Sequence, residues 1–345
     1  GRGMFYQILT GQDKRIKPPF DLVFTINDHF IFAGGDPSAQ GFNLARKIKQ
    51  VQVEVLERED VPIENIFNWI AYWPVDGHLR PYWVQQAVGL ADYPVFYTKF
   101  GQEEALKYDT DITSLGKRSR IIPHGVNTAD FHPISDEERA DFRRKYFPKI
   151  KDDTFLIVNV SRNQMRKDLA RVVATYAKYR KINPNSHLYL HCRTDDVGGD
   201  LTEIAFQLGL GNDEISFPSR FNEMYGMPLE TLNKIYNAAD CLISTSLGEG
   251  WGFINTEAMA VKRPIVAAAN TSTTEIFNIS KDDNLRDIES NYQKWRGVPI
   301  VSGEDFVCLG QIDNAILRPI CNVDDATIKL DWVYRNPAKV KVVVD

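Results

Sequence analysis

The sequence predicts an α/β protein, on three observations. Strand-like and helix-like segments alternate along most of the chain. Phe155–Val160 is a continuous apolar run of strand length, the pattern of a strand buried on both faces of a parallel sheet. A glycine-rich stretch, Gly248 to Gly252, stands between a short β-leaning run, Cys241–Thr245, and the helix-like Ile254–Lys262.

Composition bounds the function. At 345 residues, 43% hydrophobic and 25% charged, the chain is long enough for two globular domains. A net charge of −5 argues against general affinity for nucleic acid. Cys192, Cys241, Cys308 and Cys321 lack Cys-x-x-Cys spacing and read as reduced thiols of a cytoplasmic protein rather than disulfides or a zinc site. The Asp195-Asp196 pair does not make a metal site. No apolar run has the length of a membrane span, and the start is not a signal peptide. If it acts on lipids, the protein would therefore sit peripherally on a membrane surface.

In order, Gly1–Pro19 is irregular and Leu22–Ile26 is the first strand, ending in Asn27-Asp28-His29. Polar residues at the carboxyl end of a parallel strand lie where open α/β sheets bind ligands. His29 is thus either an acceptor-site group or a polar strand cap. Asn43–Glu59 reads as a helix with Leu44, Ile48, Val51 and Val55 on one face. Phe67–Trp73 is an aromatic-rich strand running into Trp73-Pro-Val-Asp-Gly-His78, before a helix over Pro81–Ala91. Asp76 and His78 stand at this second polar strand end, although Asp-Gly is also an ordinary turn. Trp69, Tyr72, Trp73, Tyr82 and Trp83 either stack on a ligand or fill the core. Tyr93–Phe100 and Gly101–Tyr108 form the next strand and helix. Arg120–Asn127 leads out of the first domain with His124 at the exit, as a cleft or a hinge residue.

Ser135 with Glu138 three residues later is a capping box opening a helix to Phe147. Phe155–Val160 then ends in the basic loop Ser161–Lys167, placed before a helix over Asp168–Ile182. Strands at Leu188–His191, Ile215–Phe217 and Arg263–Ala269 and helices at Thr202–Leu210 and Leu229–Ala239 continue the alternation. Asn270–Ile276 is a polar turn into a helix, a rim for a ligand. The pattern weakens from Asp282, and Val333–Asp345 ends in a β-like run without a place in the sheet.

The glycine turn has the makings of an anion site, because glycine admits close backbone approach and a helix start presents N–H groups. Glu249 and Glu257 flank it, eight positions apart. Carboxylates beside an anion make sense if they accept hydrogen bonds from hydroxyls, as at the two ends of a sugar nucleotide. The plainer alternative is a turn cap and a surface helix residue.

Glu249-Gly-Trp-Gly-Phe-Ile-Asn-Thr-Glu257-Ala-Met-Ala resembles the donor motif of the retaining glycosyltransferases of family four, with Trp251 where Phe is usual. Ile121-Ile-Pro-His-Gly-Val-Asn127 and Ile235-Tyr-Asn-Ala-Ala-Asp-Cys241 are similar to further family segments. The resemblance covers roughly 67–276. It implies a GT-B type fold, two Rossmann-like domains facing across a cleft, shortened here at the N-terminus. The expected boundaries are 1–133 for an acceptor-side domain, 134–151 for a linker, 152–320 for the donor domain, and 321–345 unplaced.

The resemblance also assigns roles. Glu249 contacts the transferred sugar, Glu257 the ribose, and the backbone around Phe253 and Ile254 the diphosphate, with Gly250 and Gly252 also donor-binding. Arg162 and Lys167 match the family's basic pair on the diphosphate, with Arg166 an extra candidate. Asp76 takes the place beside the acceptor hydroxyl, where it accepts a proton, and His29, His78 and His124 are acceptor-side candidates. The expected activity is metal-independent, cofactor-free transfer of a sugar, with retention, from a UDP- or GDP-sugar to a glycan, glycoprotein, lipid or small-molecule hydroxyl. The alternatives are an inactive sugar-nucleotide-binding or scaffold protein of the same fold, and an epimerase or phosphorylase on the same architecture.

Overall fold

A computed structural model describes residues 21–34, 43–57, 66–219, 226–313 and 315–345. The irregular opening segment lies outside them. The chain divides into two compact units, Gly1–His124 and Gly125–Asp345.

The first unit carries a four-stranded parallel sheet in the order β1 (Leu22–Ile26), β2 (Asn68–Trp73), β3 (Tyr93–Phe96), β4 (Arg120–Ile121). Helices α1 (His29–Ala33), α2 (Leu44–Leu56), α3 (Pro81–Gln86), α4 (Lys99–Leu106) and α5 (Leu115–Arg118) connect the strands. Leu44, Ile48 and Val51 of α2 are buried, as their spacing predicts. Trp69, Trp73 and Trp83 are buried core, and Tyr72 nearly so. This favours the packing alternative for most of the aromatic cluster. Thr98 caps α4 by accepting the Gly101 N–H at 3.1 Å, so the helix starts two residues earlier than the sequence suggests.

The second unit holds a six-stranded parallel sheet. Its elements in chain order are α6 (Asp136–Tyr146), β5 (Phe155–Val160), α7 (Leu169–Ile182), β6 (Ser186–His191), the two-residue pair β7 (Asp195–Asp196) and β8 (Gly199–Asp200), α8 (Leu201–Gln207), β9 (Ile215–Ser216), α9 (Leu229–Ala238), β10 (Cys241–Ser244), α10 (Phe253–Ala260), β11 (Ile265–Ala268), α11 (Thr271–Ile276), β12 (Val298–Ile300), β13 (Ser302–Cys308), β14 (Leu317–Cys321), α12 (Val323–Arg335) and α13 (Pro337–Val344). The strand order is β12-β11-β10-β5-β6-β9. β5 and β10 are therefore central neighbours, which explains why both read as unbroken apolar runs.

Helix α6 lies inside the region expected to be a linker. Ser135 accepts the Glu138 N–H at 3.1 Å, as the capping box requires, and acidic residues fill the first turn and basic ones the last. Arg139 and Arg143 both reach the Asp240 carboxylate at the start of β10, and Arg143 also donates to the Ala238 and Thr154 carbonyls. These bonds fasten α6 to the sheet of the second unit.

Two features differ from the sequence expectation. Val333–Asp345 is helical, not β-like. Pro337 sits at the first turn of α13, where its missing N–H costs nothing, and Val340 and Val343, three apart, are buried. β13 and β14 form an antiparallel hairpin that the weak pattern after Asp282 does not reveal. Most of β13 is exposed and polar, so no apolar alternation marks it.

Candidate functional site

The carboxyl ends of β5 and β10 are adjacent, and their two following loops meet. After β5, Met165–Lys167 makes a single 3-10 turn ending at Asp168, whose φ of 46° is left-handed. After β10, Ser246–Gly252 leads into α10. Gly252 precedes α10 with φ of 84°, and a Cβ there would meet the Asn255 Nδ2 at 2.9 Å. Glycine is required at that position on both counts.

Lys167 and Arg166 converge on Glu249. The Lys167 ammonium pairs with Oε1, and Arg166 Nη1 lies 3.2 Å from Oε2. Arg166 Nη1 also donates to the Gly248 carbonyl, and the Arg166 carbonyl accepts the Leu247 N–H at 2.8 Å. Glu249 is buried, which by itself disfavours its charge. Lys167 first, then Arg166, with a hydrogen bond from Ser246, overcome this and bring its pKa down to about 2.

Three consecutive side chains at the start of α11 hold the glycine loop from the other side. Asn270 Nδ2 donates to the Ser246 carbonyl at 2.9 Å, Thr271 Oγ1 accepts the Glu249 N–H at 2.8 Å, and Ser272 Oγ donates to the Trp251 carbonyl at 2.9 Å. The sequence marks this stretch only as a polar rim. The signal that points to more is the left-handed φ of 41° at Thr271, a β-branched residue, and it is visible only in the fold.

Glu257 lies one helical turn into α10 and is partly buried. The buried Tyr236 hydroxyl donates to its Oε2. Burial raises the Glu257 pKa above the usual carboxylate value, and the Tyr236 bond works against that rise. Ile254 is buried, whereas Phe253 at the helix start is half exposed.

Arg162 follows β5 in the same basic loop. Its guanidinium pairs with Asp196 of β7, at 2.8 Å from Nε and 3.2 Å from Nη2. Both line a cavity of about 470 Å³ with Ser161, His191, Arg193 and Met227, at the carboxyl ends of β5 and β6. His191 accepts or donates at Nδ1 to the Tyr189 hydroxyl, 2.9 Å away, and burial lowers its pKa to about 4.

In the first unit, His29 opens α1 and is buried against Trp83, ring centroids 4.8 Å apart. His78 is largely exposed, with Nδ1 3.1 Å from the buried Glu104 carboxylate. Asp76 is partly buried in the loop after β2. His124 packs on Tyr97 at 4.5 Å and on Tyr72 at 5.3 Å, and burial lowers its pKa. Among the described residues no group of three or more His, Cys, Asp or Glu side chains is placed to hold a metal, and no helix is long and apolar enough to cross a membrane.

Residues 154–288 match the family described as glycosyl transferases group 1. An uncharacterized glycosyltransferase of Methanocaldococcus jannaschii is 27% identical over 159 residues, covering 46% of this chain and 38% of that protein. Matched stretches span 38% to 49% of the curated relatives' own lengths, so this chain aligns with less than half of each. Among solved structures, sucrose-phosphate synthase from Thermosynechococcus elongatus superposes with a TM-score of 0.65 at 15% identity, over 99% of this chain and 71% of that one. Anabaena HepE, in complex with UDP and glucose, gives 0.63 at 14% identity, over 99% and 74%. Residues 154–288 are thus similar to the glycosyl transferases group 1, and the fold of the chain is that of the GT-B glycosyltransferases.

Proposed function

We propose that the protein moves a sugar from a nucleotide-diphosphate sugar, UDP- or GDP-linked, to an acceptor hydroxyl, with retention of anomeric configuration and without a metal. The observation that carries this is the ionised Glu249, held by Lys167 and Arg166 in a glycine turn between a parallel strand and a helix start. A carboxylate held charged by two cations suits a ligand that has both hydroxyls and phosphates. The family match over the same residues supports it, as does the UDP bound by HepE.

In this scheme the leaving diphosphate gains negative charge as the glycosidic bond breaks. Lys167, Arg162 and the backbone N–H groups at the start of α10, by Gly252, Phe253 and Ile254, counter that charge, with Gly250 allowing close approach. Glu249 orients the sugar and Glu257 binds the ribose hydroxyls. Asp76 in the first unit takes the acceptor's proton. The acceptor is a glycan, glycoprotein, lipid or small molecule, and the protein works in the cytoplasm, peripherally on a membrane where the acceptor is a lipid.

A thermal-shift panel of UDP, GDP and ADP with their sugar conjugates tests the donor site. Ligand at about a hundred times its dissociation constant stabilises by roughly 2.7 kcal/mol. A shift with one nucleotide family, lost in Glu257→Ala, is expected. No shift with any would refute the donor site. The anomeric configuration of a transferred sugar, read by NMR, tests retention.

A further inference from the structure

The two cations on Glu249 are not equivalent. Among the described residues, Glu249 is the one partner of the Lys167 ammonium, at the end of a flexible four-carbon stem. Arg166 is built into the loop it serves. Its guanidinium bridges the Gly248 carbonyl and the Glu249 carboxylate, and its own carbonyl accepts the Leu247 N–H and, at 3.4 Å, the Ser246 hydroxyl. One residue thus holds four consecutive positions, Ser246 to Glu249, by backbone and side chain together.

A diphosphate arriving at this turn competes with Glu249 for Lys167. If Lys167 moves to the phosphate, Glu249 loses a counter-charge while still buried. A buried carboxylate left unneutralised is expensive and takes up a proton instead. We propose that Arg166 is a positioning residue, the resident counter-ion of Glu249, which keeps that carboxylate charged and in place while Lys167 turns to the donor's diphosphate. This rests on the nucleotide-sugar reading of the site.

Among the described residues, the other groups bonded to Glu249 are neutral: the Ser246 hydroxyl on its carboxylate and the Thr271 hydroxyl on its N–H. The low pKa of the free site agrees with two cations in attendance. Without Arg166, ligand binding would raise the Glu249 pKa by removing its last cation. Binding would then be coupled to proton uptake and would strengthen as pH falls.

The test is isothermal titration with whichever of UDP, GDP or ADP the wild-type protein binds, between pH 5.5 and 8, in buffers of different ionisation enthalpy. Arg166→Gln keeps a donor for Gly248 but loses the charge. It should bind about tenfold more weakly than wild type at pH 8, recover toward pH 5.5, and take up about one extra proton. Arg166→Lys should restore the wild-type profile. Lys167→Met should lose affinity at every pH with no extra proton, because Arg166 stays on Glu249. That variant keeps the test decisive if Arg166→Gln fails to fold. An equal loss at all pH in Arg166→Gln, no loss at all, or extra proton uptake in Lys167→Met would overturn the assignment. Failure of the wild-type protein to bind any of the three nucleotides would overturn the donor site itself, a result separate from the pH profile.

Discussion

Thr271 accepts the Glu249 backbone N–H at 2.8 Å, and it does so from a left-handed φ of 41°. A β-branched residue in that region is strained, so its hydroxyl must be held there by the bonds around it. Thr271→Val keeps the shape and the strained backbone and removes the hydroxyl, which accepts the Glu249 N–H and donates to Asn270 Oδ1 at 3.2 Å. The buried N–H left behind should cost about 1–3 kcal/mol in denaturant unfolding. Nucleotide affinity should fall as well, because Glu249 loses its anchor. An unchanged unfolding midpoint would mean that the loop is held without Thr271, by Asn270, Ser272 and Arg166.

Glu249 contributes stability in a defined pH window. Its folded pKa, about 2, lies below the ordinary Glu value of about 4.3. Its favourable interactions are thus fully present above that ordinary value and are lost as pH falls from there toward 2. Glu249→Gln should therefore differ most from wild type near neutral pH and converge with it in acid. Urea unfolding from pH 7 down to pH 3 reads this directly. A constant difference across the series would show that the carboxylate's charge is not what matters.

Glu257 behaves in the opposite sense. Burial raises its pKa above the usual carboxylate value, and the Tyr236 hydroxyl opposes that rise by stabilising the ionised form. If Glu257 accepts hydrogen bonds from ribose hydroxyls, nucleotide affinity should fall as pH drops through that raised pKa. Tyr236→Phe should move this acid limb to still higher pH. Dissociation constants measured from pH 8 to 5 for the two proteins provide the check, and coincident limbs would remove Tyr236 from the site.

Much of this was legible in the sequence where local pattern and final environment coincide. β5 is apolar throughout because it is central in a six-stranded sheet, and Ser135 with Glu138 announces a capping box that the fold contains. Lys167, Glu249 and the glycine turn, expected together from spacing and resemblance, do lie together at the strand ends. What pattern could not give are contacts between distant residues. Arg166 and Glu249 are 83 positions apart, and nothing local distinguishes Arg166 from an ordinary basic loop residue. His29 follows a strand as a ligand-binding polar residue would, yet its ring is buried on Trp83, because the chain turns into α1 at once. The last helix escaped because Val and Lys alternate in a way that suits a strand. Pro337 and the burial of Val340 and Val343 decide for a helix instead.

Arg162 offers a test of a different kind, since its carboxylate partner lies outside the Lys167–Glu249 group. The guanidinium is bidentate on Asp196, and that pair holds the Asp196 pKa at about 2. The Arg162 side chain is 62% exposed, so the pair is weak in stability terms and open to exchange. If Arg162 serves the diphosphate, Asp196 competes with the ligand for it. Asp196→Asn should then tighten nucleoside diphosphate binding by a few-fold at low salt, and the gain should shrink at high salt as the phosphate contact is screened. Uridine or guanosine, lacking phosphate, should bind the variant and the wild type alike. A gain that extends to the bare nucleoside would place the effect in the shape of the neighbouring cavity. No gain with the diphosphate would leave Lys167 and the α10 helix start as the groups that counter its charge.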